Sequence, residues 1–381
     1  MGTRSGLERP ADARLTADCL PVLGNRGILP LCRRKRNVPN LTTLFDAAQA
    51  LCYDGATMTS TPLRVGVVGV GRVGALHAQI YARLPDVSLA YLCDTDETRA
   101  AQVARDHGGT PCTDFRTLFG KVDAVSLAVP TTEHYAIARA FLKRGLPVLV
   151  EKPLTTSLRE ADKLLKLAAE HHAILQVGHV ERFNPAIRAM QPLLTHPRFV
   201  ECHRLSPYPH RSTDISVVMD LMIHDLDIIA TWIPVPLKRV EAVGVRVLSQ
   251  SEDIANARLE FEDGAICDIT ASRVSPEVMR KIRLFLDDAY CSIDYKAQSV
   301  ELYRKVNGQI IKEPLPTDGV QPLEAELSAF IESVRQHSAG TQPARMPASG
   351  TEARRAIELA LLIERKIRAR AKRWSSPAAT A

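Results

Sequence analysis

The chain has 381 residues, 45% of them hydrophobic and 24% charged, and a net charge of +6. That length exceeds one ordinary domain, the composition is that of a globular protein, and no apolar run approaches the ~18 residues needed to cross a bilayer. Two domains with additions and no membrane insertion are therefore expected.

Half of the excess charge lies in residues 1–57, which hold eight Lys and Arg against five Asp and Glu and include the run Arg33-Arg34-Lys35-Arg36. Charge interrupts the apolar stretches there, so no clean signal peptide is present, and Met58 stands just before the first strand pattern. The expectation is a disordered, dispensable extension over 1–57, with Met58 as the true start. The rival reading is a targeting or nucleic-acid arm, but no nucleic-acid motif accompanies the basic run. The eight cysteines, at 19, 32, 52, 93, 112, 202, 267 and 291, form no CxxC pair. Reduced thiols, a cytoplasmic setting and no metal site follow.

Residues 63–69, LRVGVVG, are a β-branched strand, followed by Gly69-Val70-Gly71-Arg72-Val73-Gly74 and the helical stretch ALHAQIYARL. Gly69 permits the tight turn, Gly71 lets a pyrophosphate approach, Gly74 lets helix and strand pack closely, and the helix N-terminus attracts an anion. A second strand, VSLAYLC, leads into Asp94, twenty residues after Gly74. A carboxylate there accepts from ribose hydroxyls and repels a 2′-phosphate, and Thr95 and Asp96 follow with no arginine directly after. NAD is the expected cofactor.

The alternation continues with helix 97–107, strand 123–129, helix 133–145, strand 146–152, helix 157–173 and strand 174–178. Ser157 and Glu160 are spaced as a capping box. This predicts a doubly wound parallel Rossmann sheet over 62–180. Beyond 197, alternating runs at 239–249, 255–263, 265–274, 281–288, 291–296 and 299–305 predict an open, mainly antiparallel sheet, with helices at 215–231, 322–337 and 351–372. The expected division is an NAD-binding domain at 62–180, an α+β substrate and oligomerisation domain at 181–350, and a C-terminal helix at 351–373.

Ligands of such sheets bind beyond the strand ends, which singles out Pro130, Thr131, His134, Glu151, Lys152 and His179. Lys152 matters most: a cation there ends an apolar strand where the nicotinamide would lie. In the apolar stretch 214–227, Asp220 and His224 are four apart and share a helix face, so the acid is expected to orient the imidazole and raise its basicity.

This set (GVGRVG, Asp94, AVPTTEHY, Glu151-Lys152-Pro153, and Asp220 with His224) resembles the Gfo/Idh/MocA oxidoreductases over about 62–372. The resemblance implies an NAD-dependent enzyme that oxidises a sugar-like CH–OH group and forms a homodimer or homotetramer, with Lys152, Asp220 and His224 catalytic. GHVERFNPA (178–186) and VVMDLMIHDLDII (217–229) are similar to the branch acting on the 3-hydroxyl of UDP-N-acetylglucosamine for lipid A synthesis. On that likeness His179, Arg182, Phe183 and Asn184 border the sugar and Arg211 meets the diphosphate. The product would pass to an aminotransferase. His224 is then the base and Lys152 the oxyanion stabiliser, although the two could exchange roles. A free-sugar or inositol dehydrogenase and a non-catalytic sugar or NAD sensor are the alternatives.

Overall fold

The structure is a computed structural model, and it describes residues 61–194, 196–208, 215–341 and 348–375, with side chains to 372. Arg211 and the extension expected over 1–57 lie outside the described residues.

The apolar, β-branched runs form six short strands: β1 (Leu63–Val68), β2 (Val87–Cys93), β3 (Thr110–Cys112), β4 (Ala124–Leu127), β5 (Val148–Glu151) and β6 (Leu175–Gly178). Helices α1 (Arg72–Tyr81), α2 (Glu97–His107), α3 (Thr131–Leu142) and α4 (Leu158–Glu170) alternate with them. Ser157 caps α4 by accepting from the Glu160 N–H at 3.3 Å. The strands are parallel in the order β3-β2-β1-β4-β5-β6. The order reverses between β1 and β4, and that switch point opens the crevice in which doubly wound sheets hold nucleotides.

The second sheet joins β7 (Phe199–Leu205), β8 (Leu237–Val245), β9 (Ile254–Phe261), β10 (Ile266–Ser272), β11 (Met279–Phe285), β12 (Ala289–Asp294), β13 (Ser299–Val306) and β14 (Gln309–Glu313). Its order is β14-β13-β12-β11-β7-β10-β9-β8, antiparallel except where β7 runs parallel to β10. Alternation sorts its two faces. Val200, Cys202, Ala257, Leu259, Cys267, Ile269, Ile282 and Leu284 point to a core shared with α5 (Pro185–Met190) and α6 (Ile223–Trp232). Glu201, Arg258, Asp268 and Arg283 take the other face, in ion pairs.

The last two helices depart from the expected division. Leu327, Phe330, Ile331 and Val334 of α7 (Pro322–Ser338) pack with Val65, Tyr81 and Leu92, in the core of the nucleotide-binding sheet. Ala353, Ala356 and Ile357 of α8 (Gly350–Ser375) join the other face of that sheet. Farther along α8, Leu359, Ala360, Ile363 and Ile367 join the second core. Assigning 181–350 to a substrate domain therefore fails for α7, because amphipathic spacing marks a buried face without naming the core that buries it.

Phe330 is fully buried in the first sheet's core. Phe330→Ala should lower stability by about 3–5 kcal/mol, read as a fall in the urea midpoint at unchanged slope.

Candidate active site

The glycine turn after β1 has the features a dinucleotide needs. Gly69 sits at φ +83°, where a side chain would be strained, and a Cβ on Gly74 would come 1.8 Å from the Gly69 carbonyl oxygen. A Cβ on Gly71 would meet nothing within 4 Å, so open space lies over the loop. Gly71 caps α1 without a side-chain hydrogen bond, and Arg72 and Val73 are exposed in its first turn. The first main-chain N–H groups of α1 are thereby available to a diphosphate.

Asp94 is buried at the end of β2, where its carboxylate accepts from the Val70 and Asp96 N–H groups, each at 3.0 Å. It thus ties the glycine turn to the position where a ribose would lie. Arg99, one turn into α2, comes within 3.8 Å of it. Reading only the two residues after Asp94 missed this cation. Across the switch point, Pro130 is exposed and Thr131 half-buried at the start of α3. His134, expected at the cofactor, instead lies buried between two loops: Nδ1 is 2.9 Å from the Pro153 carbonyl and Nε2 is 3.0 Å from that of Val129. One turn inside α3, it faces the core, and it braces the loop that carries Lys152.

Lys152 follows the last residue of β5 and is joined to Pro153 by a cis peptide. Glu151 turns beneath it. One carboxylate oxygen lies 3.3 Å from His77 Nε2, and the other accepts from the Lys152 N–H at 3.2 Å. His77 Nδ1 in turn contacts Ser126 Oγ at 2.7 Å. A Cβ on Gly178 would approach Glu151 Oε1 to 2.9 Å, so only glycine there leaves the carboxylate its place. Burial pushes the Glu151 carboxyl up, but His77 and Lys152 outweigh it and hold it below its ordinary value. Glu151 therefore supports Lys152 from below.

The helix expected at 215–231 is in two parts. A π-helical turn spans Val218–Met222, where the Ile223 N–H reaches the Val218 carbonyl five residues back, and α6 follows. The turn presents both the carbonyl and the carboxylate of Asp220 to Lys152, whose Nζ donates to them at 2.8 and 3.1 Å. Asp220 thus holds the lysine rather than the histidine as expected. His224 Nδ1 is buried with no hydrogen-bond partner, while its ring stays half-buried in the crevice. Burial, then the charges of Lys152 and Arg204 and, more weakly, Arg280, hold the imidazole well below its ordinary value of 6.5. It is neutral near pH 7 and able to accept a proton.

The segment after β6, expected to border the sugar, is tied into the protein by its polar groups. Arg182 donates to both oxygens of Asp227 and to Glu352, all at 2.6 Å, and its side chain is only 8% exposed. Asn184 is buried, caps α5 through the Ala186 N–H at 3.1 Å, and donates to the Tyr295 carbonyl at 3.0 Å. Phe183 is buried beside them. Their partners lie on α6, α8 and β12's far end, which no local pattern could name. His179 is also buried, its ring nitrogens without hydrogen-bond partners and Nε2 3.7 Å from Asp227. Sequence reasoning also missed Arg204, Asp225 and Glu181, which form a second buried cluster. Arg204 donates to both oxygens of Asp225 and to Glu181, all at 2.9 Å.

A glycine cradle for a dinucleotide, with a lysine and a neutral histidine at the same crevice, defines an NAD-binding oxidoreductase acting on a CH–OH group. Residues 63–179 match the NAD-binding Rossmann fold of the Gfo/Idh/MocA oxidoreductases, and residues 193–290 match the C-terminal domain of that group. The chain belongs to the Gfo/Idh/MocA family. It is 35% identical to the UDP-N-acetylglucosamine 3-dehydrogenase of Acidithiobacillus ferrooxidans over 307 residues, 78% of this chain and 97% of that protein. The solved structure of that enzyme superposes with a TM-score of 0.75, covering 81% of this chain and 98% of the other. The scyllo-inositol 2-dehydrogenase (NAD(+)) of Bacillus subtilis is 29% identical over 56% of this chain and 68% of its own. Among the described residues, no helix is long and apolar enough to cross a membrane.

His134, His179 and His224 are each held below the ordinary histidine value, with burial as the largest cause. Each is neutral in the fold but ionises near pH 6.5 once unfolded, so the unfolded chain binds more protons as pH falls. Tm should stay level from pH 8 to 7 and drop progressively below about pH 6.5, before carboxylates titrate near pH ~4. A Tm unchanged down to pH 5 would contradict the neutral state of all three.

Proposed function

We propose that this protein oxidises a ring hydroxyl of a nucleotide sugar, specifically the 3-hydroxyl of UDP-N-acetylglucosamine, to a 3-keto sugar nucleotide. The observation that carries this reading is the meeting of Lys152, Asp220 and His224 at the crevice, in a chain that is similar to a dehydrogenase of that substrate over 97% of that enzyme's length. NAD, when bound on the glycine turn, supplies the acceptor for the hydride.

The chain's own groups handle the oxygen and its proton. Lys152, fixed by two hydrogen bonds to Asp220, has a third N–H with which to bind the reacting oxygen and stabilise its developing negative charge. Neutral His224 takes the hydroxyl proton. The cations that weaken His224 as a base also lower the pKa of the hydroxyl, so the transfer stays feasible. Asp220 acts by holding Lys152. Gly69, Gly71, Gly74 and Asp94 hold the cofactor.

The keto product is activated for transamination, so an aminotransferase acts next on this reading. The same reading has the protein work in the cytoplasm as a homodimer or homotetramer. A free-sugar or inositol dehydrogenase is the second reading, supported by the partial match to the inositol enzyme. It needs no nucleotide subsite, so substrate profiling separates the two.

Incubation with NAD and UDP-N-acetylglucosamine, with glutamate and a coupled aminotransferase to draw the equilibrium forward, should release NADH. His224→Ala should keep NAD affinity and lose about 10²–10⁴-fold in turnover. Lys152→Met should lose turnover on a similar scale. Full activity in either variant would remove that residue from the mechanism. Because His224 is held below 6.5, the acid limb of kcat/KM should lie well below that pH.

A further inference from the structure

The second sheet carries many arginines, and most have an acid. Arg239 pairs with Glu241, Arg258 with Asp268, Arg283 with Glu201, and Arg304 with Asp288 and Glu313. Arg280 differs. It is exposed, and among the described residues its guanidinium has no hydrogen bond or ion pair.

Its position follows from register. Arg280 lies directly opposite Arg204 in the antiparallel pairing of β11 with β7. Residues so paired project from one face of the sheet, and alternation puts Arg280 on the same side as Ile282 and Leu284. Both of those are fully buried, so this is the inner face, the one packed on α6. Arg204 reaches from it to Asp225, the residue after His224. One step along β11, Lys281 points outward to Asp294. Arg280 thus stands at the open start of the strand on the side facing the reaction centre, and its charge is felt at the His224 ring.

Two arginines side by side on that face meet opposite fates. Arg204 is buried and compensated by Asp225 and Glu181, whereas Arg280 has no compensating acid among the described residues. Glu277, three residues before Arg280, makes no bond to it. An uncompensated guanidinium at the mouth of a crevice suits a ligand that brings its own negative charge, and its planar fork matches phosphate oxygens. In a nucleotide sugar the diphosphate hangs from the ring being oxidised, so it must lie within one sugar of His224.

We propose that Arg280 binds the diphosphate of the substrate and is the residue by which this protein prefers a nucleotide sugar to a free one. This rests on the functional reading above; Arg211, the diphosphate contact expected from the sequence, lies outside the described residues.

The test compares the wild type with Arg280→Ala and Arg280→Lys, using UDP-N-acetylglucosamine as substrate and UDP as competing ligand. Arg280→Ala should raise KM for the sugar nucleotide and Ki for UDP together, by about tenfold or more. Its KM for NAD and its Tm should remain those of the wild type. Arg280→Lys, which keeps the charge but loses the fork, should recover part of the affinity. If the wild type oxidises UDP-N-acetylglucosamine and Arg280→Ala does so with unchanged KM and Ki, the role of Arg280 is overturned and the functional reading stands. A wild type that neither oxidises that substrate nor binds UDP overturns the functional reading, and this inference with it.

Discussion

Two bidentate arginine–carboxylate pairs buried against α6 hold this active site in place. Arg204 grips Asp225 and Arg182 grips Asp227, two positions apart, while Glu181 and Glu352 complete the two cations' partners. They join four elements that share no sequence neighbourhood: the turn after β6, strand β7, helix α6 and helix α8. A buried pair of this kind adds little net stability compared with a well-packed apolar substitute, yet loss of one partner strands the other's charge at a cost of about 3–5 kcal/mol. Its value here is geometric. It fixes the rotation and height of α6, and with them the placement of His224, the residue just before Asp225.

Charge compensation also separates structural groups from reactive ones. Asp225 and Asp227 have their charges met inside the protein, and so do Arg182 and Arg204. Lys152 is only partly spoken for, bound to Asp220 yet still partly open to the crevice. His224 has a buried nitrogen with no partner and a surplus of cations around it. Local positive potential of this kind favours any oxyanion formed between them.

Those parts of the site that depend on local backbone geometry were legible in the sequence. Gly69, Gly71 and Gly74 announce the turn because each is required by a conformation or a close approach that leaves a spacing pattern. Asp94 and Lys152 announce themselves as charges ending apolar strands. Groups whose meaning depends on a distant partner were illegible. Asp220 and His224 fit an ordinary helix face, and only the π-helical turn redirects Asp220 to Lys152. Arg182 and Asn184 sit beside the crevice in sequence, yet their partners are Asp227, Glu352 and Tyr295, the last two more than a hundred residues away. Arg204 and Arg280 are single letters in alternating strands until register sets them side by side.

The closing of the nucleotide-binding core by α7 and α8 governs the order in which the molecule can be made. The strands of that sheet leave the ribosome first, but the helix covering Tyr81 and Leu92 is encoded more than a hundred residues after β6. Until it emerges, an apolar sheet face stays uncovered while the whole second sheet is being synthesised. Contacts of such long sequence separation form slowly, and a nascent chain in that condition is prone to aggregate or to engage chaperones. The half of the protein translated first is therefore the last to be finished, and its cofactor cradle matures only when the chain is almost complete.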